Sequence, residues 1–397
     1  MAYYFLFPEK DTTLYSHPDR KDMNTGADEI LEILKERGTT NQYNYPSRVI
    51  MKFKDTEIQS TISLINKIDT TIPADNFNNG SAAVSLQLTS TDATKLVETN
   101  VLNVYAVSQS WNEGVGRYLN HPTSSTGATW SKRDNSVQST SWSTSSWAPF
   151  TTGSLISASI LTPGGGVWYT GSKFVATQQF LVGESLDTDV DVTEIVKKWS
   201  ASMFAGDTYP EGILNNGVLF KVPDSVESNV EYSFGDLSYF SSDTHTIYPP
   251  KLTFKWDDST NQSNDYDNDL IVKSGSINVD IYDNKKEYNV NEIAEIRWHI
   301  RDRYPIRTFS TSSNYLVNKR FKLGSGCLYS IRDAHSEQVI IPFDKKYTRL
   351  SNDKESSYFK LYMNGLQPER YYRILIKHES ADGTEVYDNG YYFKVVR

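Results

Sequence analysis

Segments in which apolar and polar residues alternate recur throughout this chain, and they constrain its fold more than any other feature. In the first two thirds of the sequence they are clearest at residues 48–53, 83–88, 102–107 and 218–222. Successive side chains of a β-strand point to opposite faces, so this alternation predicts strands that bury one face and expose the other. Stretches rich in Asn, Asp, Gly and Ser separate the segments, which is typical of turns between short strands.

The same alternation continues in the last third of the chain. It is found at residues 277–282, 295–301, 358–363, 371–377 and 391–396. About seven short strands within residues 270–397 is the number expected for an immunoglobulin-like or fibronectin-like sandwich. Residues 366–372 also resemble the loop that enters a late strand of fibronectin-type modules.

Aromatic residues make up 13% of the chain, which contains 26 Tyr, 17 Phe and 8 Trp. Aromatic side chains favour strands because they pack well on a pleated, half-buried surface. Tyr is also common in protein interfaces, since its rigid apolar ring carries a polar tip. The composition therefore favours β-sheets that meet other protein surfaces.

Helical signals are few. In residues 191–199 the apolar side chains share one face at helical spacing, namely Val192, Ile195, Val196 and Trp199. Asp191 precedes them, so its carboxylate is placed to cap the first backbone N–H groups, and we assign structural roles to Asp191 and Trp199. Residues 28–36 contain good helix formers, but the segment is short and a strand is an equal alternative.

The polar stretch after Trp256 marks a domain boundary. Residues 258–269 contain one aromatic residue and no aliphatic residue, so they do not build a core. A chain of 397 residues also exceeds one ordinary core. We therefore predict an N-terminal domain over residues 1–257, an acidic linker over 258–269 and an immunoglobulin-like domain over 270–397.

Residues 123–169 shift to a Ser-, Thr- and Gly-rich composition with tryptophans at intervals, which predicts long loops that leave the β-structure. The tryptophans are Trp130, Trp142, Trp147 and Trp168. We expect these candidate binding residues to anchor the loops on the sheet or to contact a neighbouring subunit, because Trp is enriched at interface hot spots. The alternative is that exposed indole rings stack on the sugar rings of a glycan.

Ordered motifs precede the linker, at residues 11–15, 24–26, 47–53, 104–114, 191–199 and 240–254. Their order resembles that of DNRLRE-type jelly-roll modules in large cell-surface and carbohydrate-associated proteins. The resemblance covers most of residues 1–257 and implies that they form a jelly roll. The predicted fold class is therefore all-β, with a jelly-roll β-sandwich followed by an immunoglobulin-like or fibronectin-like β-sandwich.

The resemblance also places an arginine at the position of Arg48. A buried arginine requires an acidic partner, and Glu113 follows Trp111 in another of the motifs, so we expect an Arg48–Glu113 salt bridge. An exposed arginine at the start of a strand is the alternative. In either case we assign Arg48, Trp111 and Glu113 to maintaining the fold and not to catalysis.

The sequence offers no motif for catalysis or metal binding. Six scattered histidines form no metal-binding pair, the lone Cys327 excludes an intrachain disulfide, and neither a nucleophile elbow nor a phosphate-binding loop is found. Residues 265–269 are acidic but depart from a calcium-binding loop, and a solvated linker is the preferred interpretation. We predict no enzyme, no cofactor and no metal.

The whole chain, including residues 239–250, resembles structural proteins of T4-like marine bacteriophages.

The net charge of −9 argues against nucleic-acid binding. The chain contains no stretch of about 20 apolar residues, so membrane insertion is not predicted. The N-terminus has no signal-peptide pattern, so assembly in the host cytoplasm is expected.

Together these features predict a structural component of a phage virion, in the tail, in the neck or attached to the capsid. It would act through contacts with other virion proteins and be present as a homo-oligomer or in multiple copies. The alternative is an adhesion protein that binds a host-surface glycan, and a glycan-cleaving enzyme is a third possibility.

Overall fold

In a computed structural model of the chain, the structure describes residues 2–37, 44–68, 77, 82–94, 96, 98–136, 138–142, 151–153, 164–181, 183–204, 212–229, 235–260, 270–271, 277–282, 285–304, 320–321, 326–353, 355–380 and 383–397. Strands dominate the regular structure, so the predicted all-β fold class is confirmed. Within the described ranges, no helix is long and apolar enough to cross a membrane.

The strands of the first part are β1 Ala2–Leu6, β2 Pro8–Tyr15, β3 Ile30–Arg37, β4 Asn44–Phe53, β5 Ala83–Leu88, β6 Ser90–Thr94, β7 Thr99–Ala106, β8 Lys132–Asp134, β9 Thr140–Ser141, β10 Thr151–Gly153, β11 Val167–Tyr169, β12 Val175–Leu181, β13 Thr188–Asp191, β14 Val218–Lys221, β15 Asp236–Phe240 and β16 Lys251–Trp256. The helices are α1 Asp55–Ile68, α2 Thr193–Met203 and α3 Asp224–Ser228. The second part contains β17 Leu270–Ile271, β18 Ile277–Tyr282, β19 Glu287–Asn289, β20 Ile293–Asp302, β21 Arg320–Phe321, β22 Cys327–Asp333, β23 Val339–Ile341, β24 Ser351–Asn352, β25 Ser357–Tyr362, a 3-10 helix at Met363–Gly365, β26 Tyr371–Ser380, β27 Gly383–Tyr387 and β28 Tyr392–Val396.

The alternating segments form strands where the sequence predicts them. Strands β5 and β18 have the predicted bounds. Strand β4 begins before its predicted segment, and β20 extends beyond its predicted segment at both ends. The ambiguous residues 28–36 contribute to strand β3, which pairs with both β4 and β15. Pairing with a neighbour on each side therefore decides the structure of this segment, whatever its intrinsic helix propensity.

One compact unit comprises residues 6–66 and 83–253. Its larger sheet has the strand order β12-β7-β14-β4-β3-β15-β6, and β2 pairs with β4 off this path. Strands β5 and β13 pair in a second sheet, and the Thr188 hydroxyl of β13 donates to Tyr239 of β15 at 2.7 Å. Apolar residues of both sheets, such as Leu86, Val104 and Leu237, are fully or almost fully buried, as expected for a β-sandwich.

Helix α1 was not predicted from the sequence. Its apolar residues Ile58, Ile62 and Ile65 recur at helical spacing, and all three are buried. Acidic residues occupy its first turn, where the helix dipole favours negative charge. Isoleucine favours strands in general, so the residue types of this segment argue against a helix even though their spacing is helical.

Helix α2 was predicted, and its buried face is the one expected from the sequence. The helix begins at Thr193 and continues to Met203, four residues beyond the predicted end. Val192 occupies the N-cap position, and the Asp191 carboxylate accepts a hydrogen bond from the Thr193 backbone N–H at 2.9 Å. Asp191 therefore satisfies a backbone donor at this helix start, and Trp199 is fully buried.

The other compact unit comprises residues 1–5, 67–82 and 254–397. One sheet has the order β18-β20-β25-β24, and the other has the order β19-β28-β26-β22-β23, with β27 paired to β26. The strands β18, β20, β22, β24, β25, β26 and β28 can be lettered A to G in chain order. One sheet then reads A-B-E-D, and the other has C, F and G side by side, which is the immunoglobulin arrangement. The predicted linker lies mostly outside the described residues, so the predicted domain limits stay a prediction.

A tyrosine corner ties the loop before β26 to the start of that strand. Tyr372 is buried, and its hydroxyl donates to the Gln367 backbone carbonyl at 3.0 Å. Such a corner is found at the corresponding position of immunoglobulin-like sandwiches. Residues 366–372, which resembled a fibronectin-type loop, therefore form the loop that enters a late strand.

Replacing Tyr372 by Phe removes this hydroxyl and leaves the Gln367 carbonyl without that donor. We expect the free energy of unfolding to fall by about 1 kcal/mol. Urea denaturation measures the change, and Tyr371→Phe, in which the altered side chain is 46% exposed, is the matched control. Equal stability of the two variants would contradict a stabilising corner.

Candidate functional site

Arg48 lies on strand β4 and is buried, with 1% of its surface exposed. Its Nε and Nη2 atoms donate to the two carboxylate oxygens of Glu227 at 3.0 and 2.7 Å. The predicted Arg48–Glu113 salt bridge is therefore wrong, although the prediction of a buried arginine with an acidic partner is confirmed. The actual partner lies on helix α3, 179 residues away along the chain.

Two indole rings enclose the Arg48 guanidinium. Its Cζ atom lies 4.7 Å from the ring centroid of Trp130 and 5.0 Å from that of Trp168. Its Nη1 atom also donates to the Gly165 carbonyl at 3.0 Å. Gly165 has a φ of +75°, and a Cβ atom there would lie 2.6 Å from the Trp130 ring, so this close approach requires glycine.

Lys221 completes what we call the tryptophan–arginine cluster: Arg48, Trp130, Trp168, Lys221 and Glu227. The Lys221 ammonium lies 2.9 Å from a Glu227 carboxylate oxygen and 4.9 Å from the Trp168 ring centroid. Burial raises the pKa of Glu227, but the charges of Arg48 and Lys221 outweigh burial and hold that pKa below its ordinary value. The carboxylate is thus kept ionised between two cations.

Three of the four candidate tryptophans are core residues. Trp130, Trp142 and Trp168 are 0%, 4% and 3% exposed and belong to one buried cluster. The Trp142 indole N–H donates to the Thr129 carbonyl at 2.9 Å. Sugar stacking requires an exposed ring face, so these three rings do not form a glycan platform and instead anchor their loops. Trp147 lies outside the described residues.

The ring of Trp111 is also buried, and it contacts both a cation and a backbone carbonyl. Its indole N–H donates to the Asn216 carbonyl at 2.9 Å. The Lys10 ammonium lies 4.4 Å from the ring centroid and also donates to the Trp111 carbonyl. This placement agrees with the structural role assigned to Trp111 from the sequence.

Glu113 pairs with a backbone N–H group and not with the predicted arginine. Its carboxylate accepts a hydrogen bond from the Asp11 backbone N–H at 2.8 Å, and the Asp11 carboxylate accepts one from the Ser242 backbone N–H at 2.8 Å. Burial raises the pKa of Asp11 to about 7 and that of Glu113 to about 7. Motifs that are far apart in the sequence thus meet at these two carboxyl groups.

Asn24, which lies in one of the ordered motifs, organises the segment that follows Glu113. Its Nδ2 atom donates to the carbonyls of Glu113 and Ala128 at 2.6 and 2.8 Å, and its Oδ1 atom accepts from the Gly116 N–H at 2.8 Å. A Cβ atom at Gly116 would lie 2.2 Å from the Asn24 carbonyl oxygen. The backbone of this segment is therefore held by a fully buried amide.

We define residues 113–122 as the contact loop, because it presents apolar side chains to solvent. Val115, Tyr118 and Leu119 are 73%, 41% and 82% exposed. Within the part of the chain that the structure describes, no other five-residue stretch carries more than one exposed large hydrophobic residue. Clustered exposed apolar residues mark interaction sites on soluble proteins.

Polar and aromatic contacts fix Tyr118 within the contact loop. The Tyr118 backbone N–H donates to the Asp28 carboxylate at 3.0 Å, and its ring packs edge-on against Tyr15 with centroids 5.6 Å apart. The Arg20 guanidinium lies over the rings of both tyrosines and donates to the Tyr118 hydroxyl at 3.0 Å. Sequence reasoning missed this loop, since its apolar residues follow no strand or helix period.

The contact loop thus carries exposed apolar side chains on a backbone that is held from within. A buried ionic cluster anchors the tryptophan loops, a buried amide shapes the contact loop, and the apolar side chains point outward. Among the described residues, no group of three or more His, Cys, Asp or Glu is placed to hold a metal ion.

Replacing Arg48 by Met leaves the Glu227 carboxylate buried without its bidentate partner. We expect the free energy of unfolding to fall by about 3–5 kcal/mol. We also expect the tryptophan fluorescence to shift to the red as the rings become hydrated. Thermal and urea denaturation measure the change. The control is Lys197→Met in the exposed Lys197–Glu194 pair, for which a loss of about 0.5 kcal/mol or less is expected.

The raised pKa values of Asp11 and Glu113 predict a dependence of stability on pH. Both groups hold a proton more tightly in the folded chain than in the unfolded chain. Their stabilising contribution is therefore present below about pH 4 and is lost as the pH rises to about 7. We expect the free energy of unfolding of Asp11→Asn to depend less steeply on pH over this range than that of the wild-type chain. An unchanged slope in Asp11→Asn would contradict the assignment.

Comparisons with known proteins yield no family for this chain. No family model and no curated protein matches the sequence. Among solved structures, the adhesin domain of Epf from Streptococcus pyogenes aligns with 98% of this chain and 98% of its own chain, at 9% sequence identity and a TM-score of 0.19. A TM-score this low carries no argument about fold or function.

Proposed function

We propose that this chain is a non-enzymatic structural protein of a bacteriophage particle that attaches to other virion proteins through its contact loop. The observation that carries the proposal is the group Val115, Tyr118 and Leu119, three exposed apolar side chains within five residues of a tightly held loop. Burying such a group against a partner removes apolar surface from water, which is the main driving force of protein association.

The way the contact loop is held favours a protein partner. Binding a mobile loop costs conformational entropy, and a loop already fixed by Asn24 and Asp28 avoids most of that cost. Tyr118 and the neighbouring Arg20 are of the residue types enriched at protein interfaces. The loop therefore combines an apolar centre with a preformed backbone.

The placement in a phage particle rests on the sequence resemblance of the whole chain, including residues 239–250, to structural proteins of T4-like marine phages. The proposal includes several copies per particle and a position in the tail, in the neck or on the capsid. Host-surface glycan binding is the alternative. It loses the support of Trp130, Trp142 and Trp168, whose rings are buried.

The test is incorporation of the chain into purified particles, counted by quantitative mass spectrometry. Leu119→Asp puts a charge at the centre of the contact loop, and we expect incorporation to fall at least about tenfold, because burying an unpaired carboxylate is costly. Val386→Asp, at an exposed apolar position on strand β27, is the control and should be incorporated normally. Thermal denaturation should show both variants folded.

Two results would overturn the proposal. If particles do not contain the chain, the virion role fails. If Leu119→Asp is incorporated at the wild-type copy number, the contact loop is not the attachment surface. Binding of the purified chain to a glycan array that is lost in Leu119→Asp would replace the protein partner with a carbohydrate.

A further inference from the structure

Strand β12 forms one edge of the large sheet in the unit of residues 6–66 and 83–253. Its seven residues pair with β7 in uninterrupted antiparallel register, from Val175 opposite Tyr105 to Leu181 opposite Thr99. Within the described residues, no strand pairs with its other side. An open edge of this length presents a row of backbone donors and acceptors to any strand that can match it.

The outward-facing backbone groups of β12 can be identified from its pairing. The Phe174 carbonyl accepts a hydrogen bond from Ala106, so residue 174 faces β7. Bonding to the partner alternates along an antiparallel strand, so Val175, Thr177 and Gln179 face away from β7. Their outward backbone groups have no partner among the described residues, whereas the Leu181 N–H reaches the Glu184 carboxylate at 3.4 Å.

The opposite edge of the same sheet is built differently. Strand β6 has five residues, carries the exposed Asp92, and meets β15 with a register shift at Ser238 and Tyr239. Short length, charge and irregularity are the devices that keep edge strands from pairing with other chains. Residues 175–181 contain no charge and no proline, so β12 lacks all of these devices.

We propose that β12 is a dimerisation edge that pairs antiparallel with β12 of a second copy of this chain. A two-fold axis at Thr177 matches the outward groups of the two copies, with Thr177 opposite Thr177 and Val175 opposite Gln179. Each of these pairs exchanges two backbone hydrogen bonds, so the three pairs supply six. The interface is isologous, as in most symmetric dimers.

Side chains and charges fit this register. Thr177 meets its own copy, and Thr–Thr pairs across antiparallel strands are favourable. Lys173 of one copy comes opposite Leu181 of the other, whose backbone N–H bonds to the Glu184 carboxylate. The register thus places a lysine beside a glutamate at each end of the paired strands, and it covers the 44% exposed Leu181.

The pairing leaves the contact loop uninvolved, so this inference does not depend on the proposed function. The experiment is sedimentation equilibrium of the purified full chain in wild-type and variant forms. Thr177→Pro removes one outward N–H per copy, and proline is tolerated on an edge strand where the N–H faces solvent. Thr177→Lys places two like charges at the two-fold axis, and Thr94→Lys on strand β6 is the matched control.

We expect a dimer whose dissociation constant rises at least about tenfold in Thr177→Pro and Thr177→Lys and is unchanged in Thr94→Lys. Circular dichroism confirms that each variant is folded. Thr177→Cys, made in a Cys327→Ser background, should form a disulfide-linked dimer under mild oxidation. A wild-type chain that stays monomeric up to about 1 mM, or a dimer unaffected by both Thr177 variants, would overturn the proposal.

Discussion

The guanidinium of Arg48, buried between two indole rings and paired with Glu227, is the interaction on which the unit of residues 6–66 and 83–253 depends. Removing a charge from water costs several kcal/mol, and only a bidentate partner with further hydrogen bonds offsets such a cost. Arg48 has both, since its remaining donors reach the carbonyls of Gly164 and Gly165. The pair thus joins strand β4, helix α3 and the tryptophan-bearing loops.

The direction in which the tryptophans point follows from this pair. A cation that is already desolvated attracts aromatic faces more strongly than an exposed one, so Trp130 and Trp168 turn inward towards Arg48. Glycines at 164 and 165 leave the space that the rings need. Trp130, Trp142 and Trp168, for which the sequence left both packing and glycan contact open, are therefore part of the core.

The contact loop is held by hydrogen bonds between buried polar side chains and the backbone. Asn24 satisfies the backbone of the loop from within, and Glu113 and Asp11 bring their two segments together beside it. Because the backbone is held from inside, the apolar side chains Val115 and Leu119 remain exposed. A preformed apolar surface of this kind favours association with a protein partner, whereas the β12 edge offers backbone hydrogen bonds to a second copy.

Local features of the fold were predictable because they depend on neighbours in the sequence. Alternation located strands β5 and β18 to the residue, and the spacing of apolar residues located helix α2. The motif at residues 366–372 located the loop that enters a late strand, where the structure adds a tyrosine corner whose hydrogen bond spans five residues. The immunoglobulin-like arrangement of residues 270–397 followed from strand number and strand length.

Features that depend on distant residues were not predictable. The partner of Arg48 lies 179 residues away, and the sequence contains many acidic residues that are equally eligible. The ring of Trp130 packs on the same arginine, so neither the salt-bridge partner nor the environment of this tryptophan follows from neighbouring residues in the sequence. The backbone of the contact loop is held by Asn24, which lies on a different segment and gives no periodic signal.

Trp130, Trp142 and Trp168 are packing elements, whereas the contact loop is an exposed apolar surface. Hydroxyl-radical footprinting of the intact purified chain, resolved by residue with mass spectrometry, tests both halves in one sample. We expect Trp130, Trp142 and Trp168 to be protected, and Tyr118 and Leu119 to be oxidised readily. Oxidation of the three tryptophans as fast as Tyr118, or protection of Leu119 in the free chain, would contradict these roles.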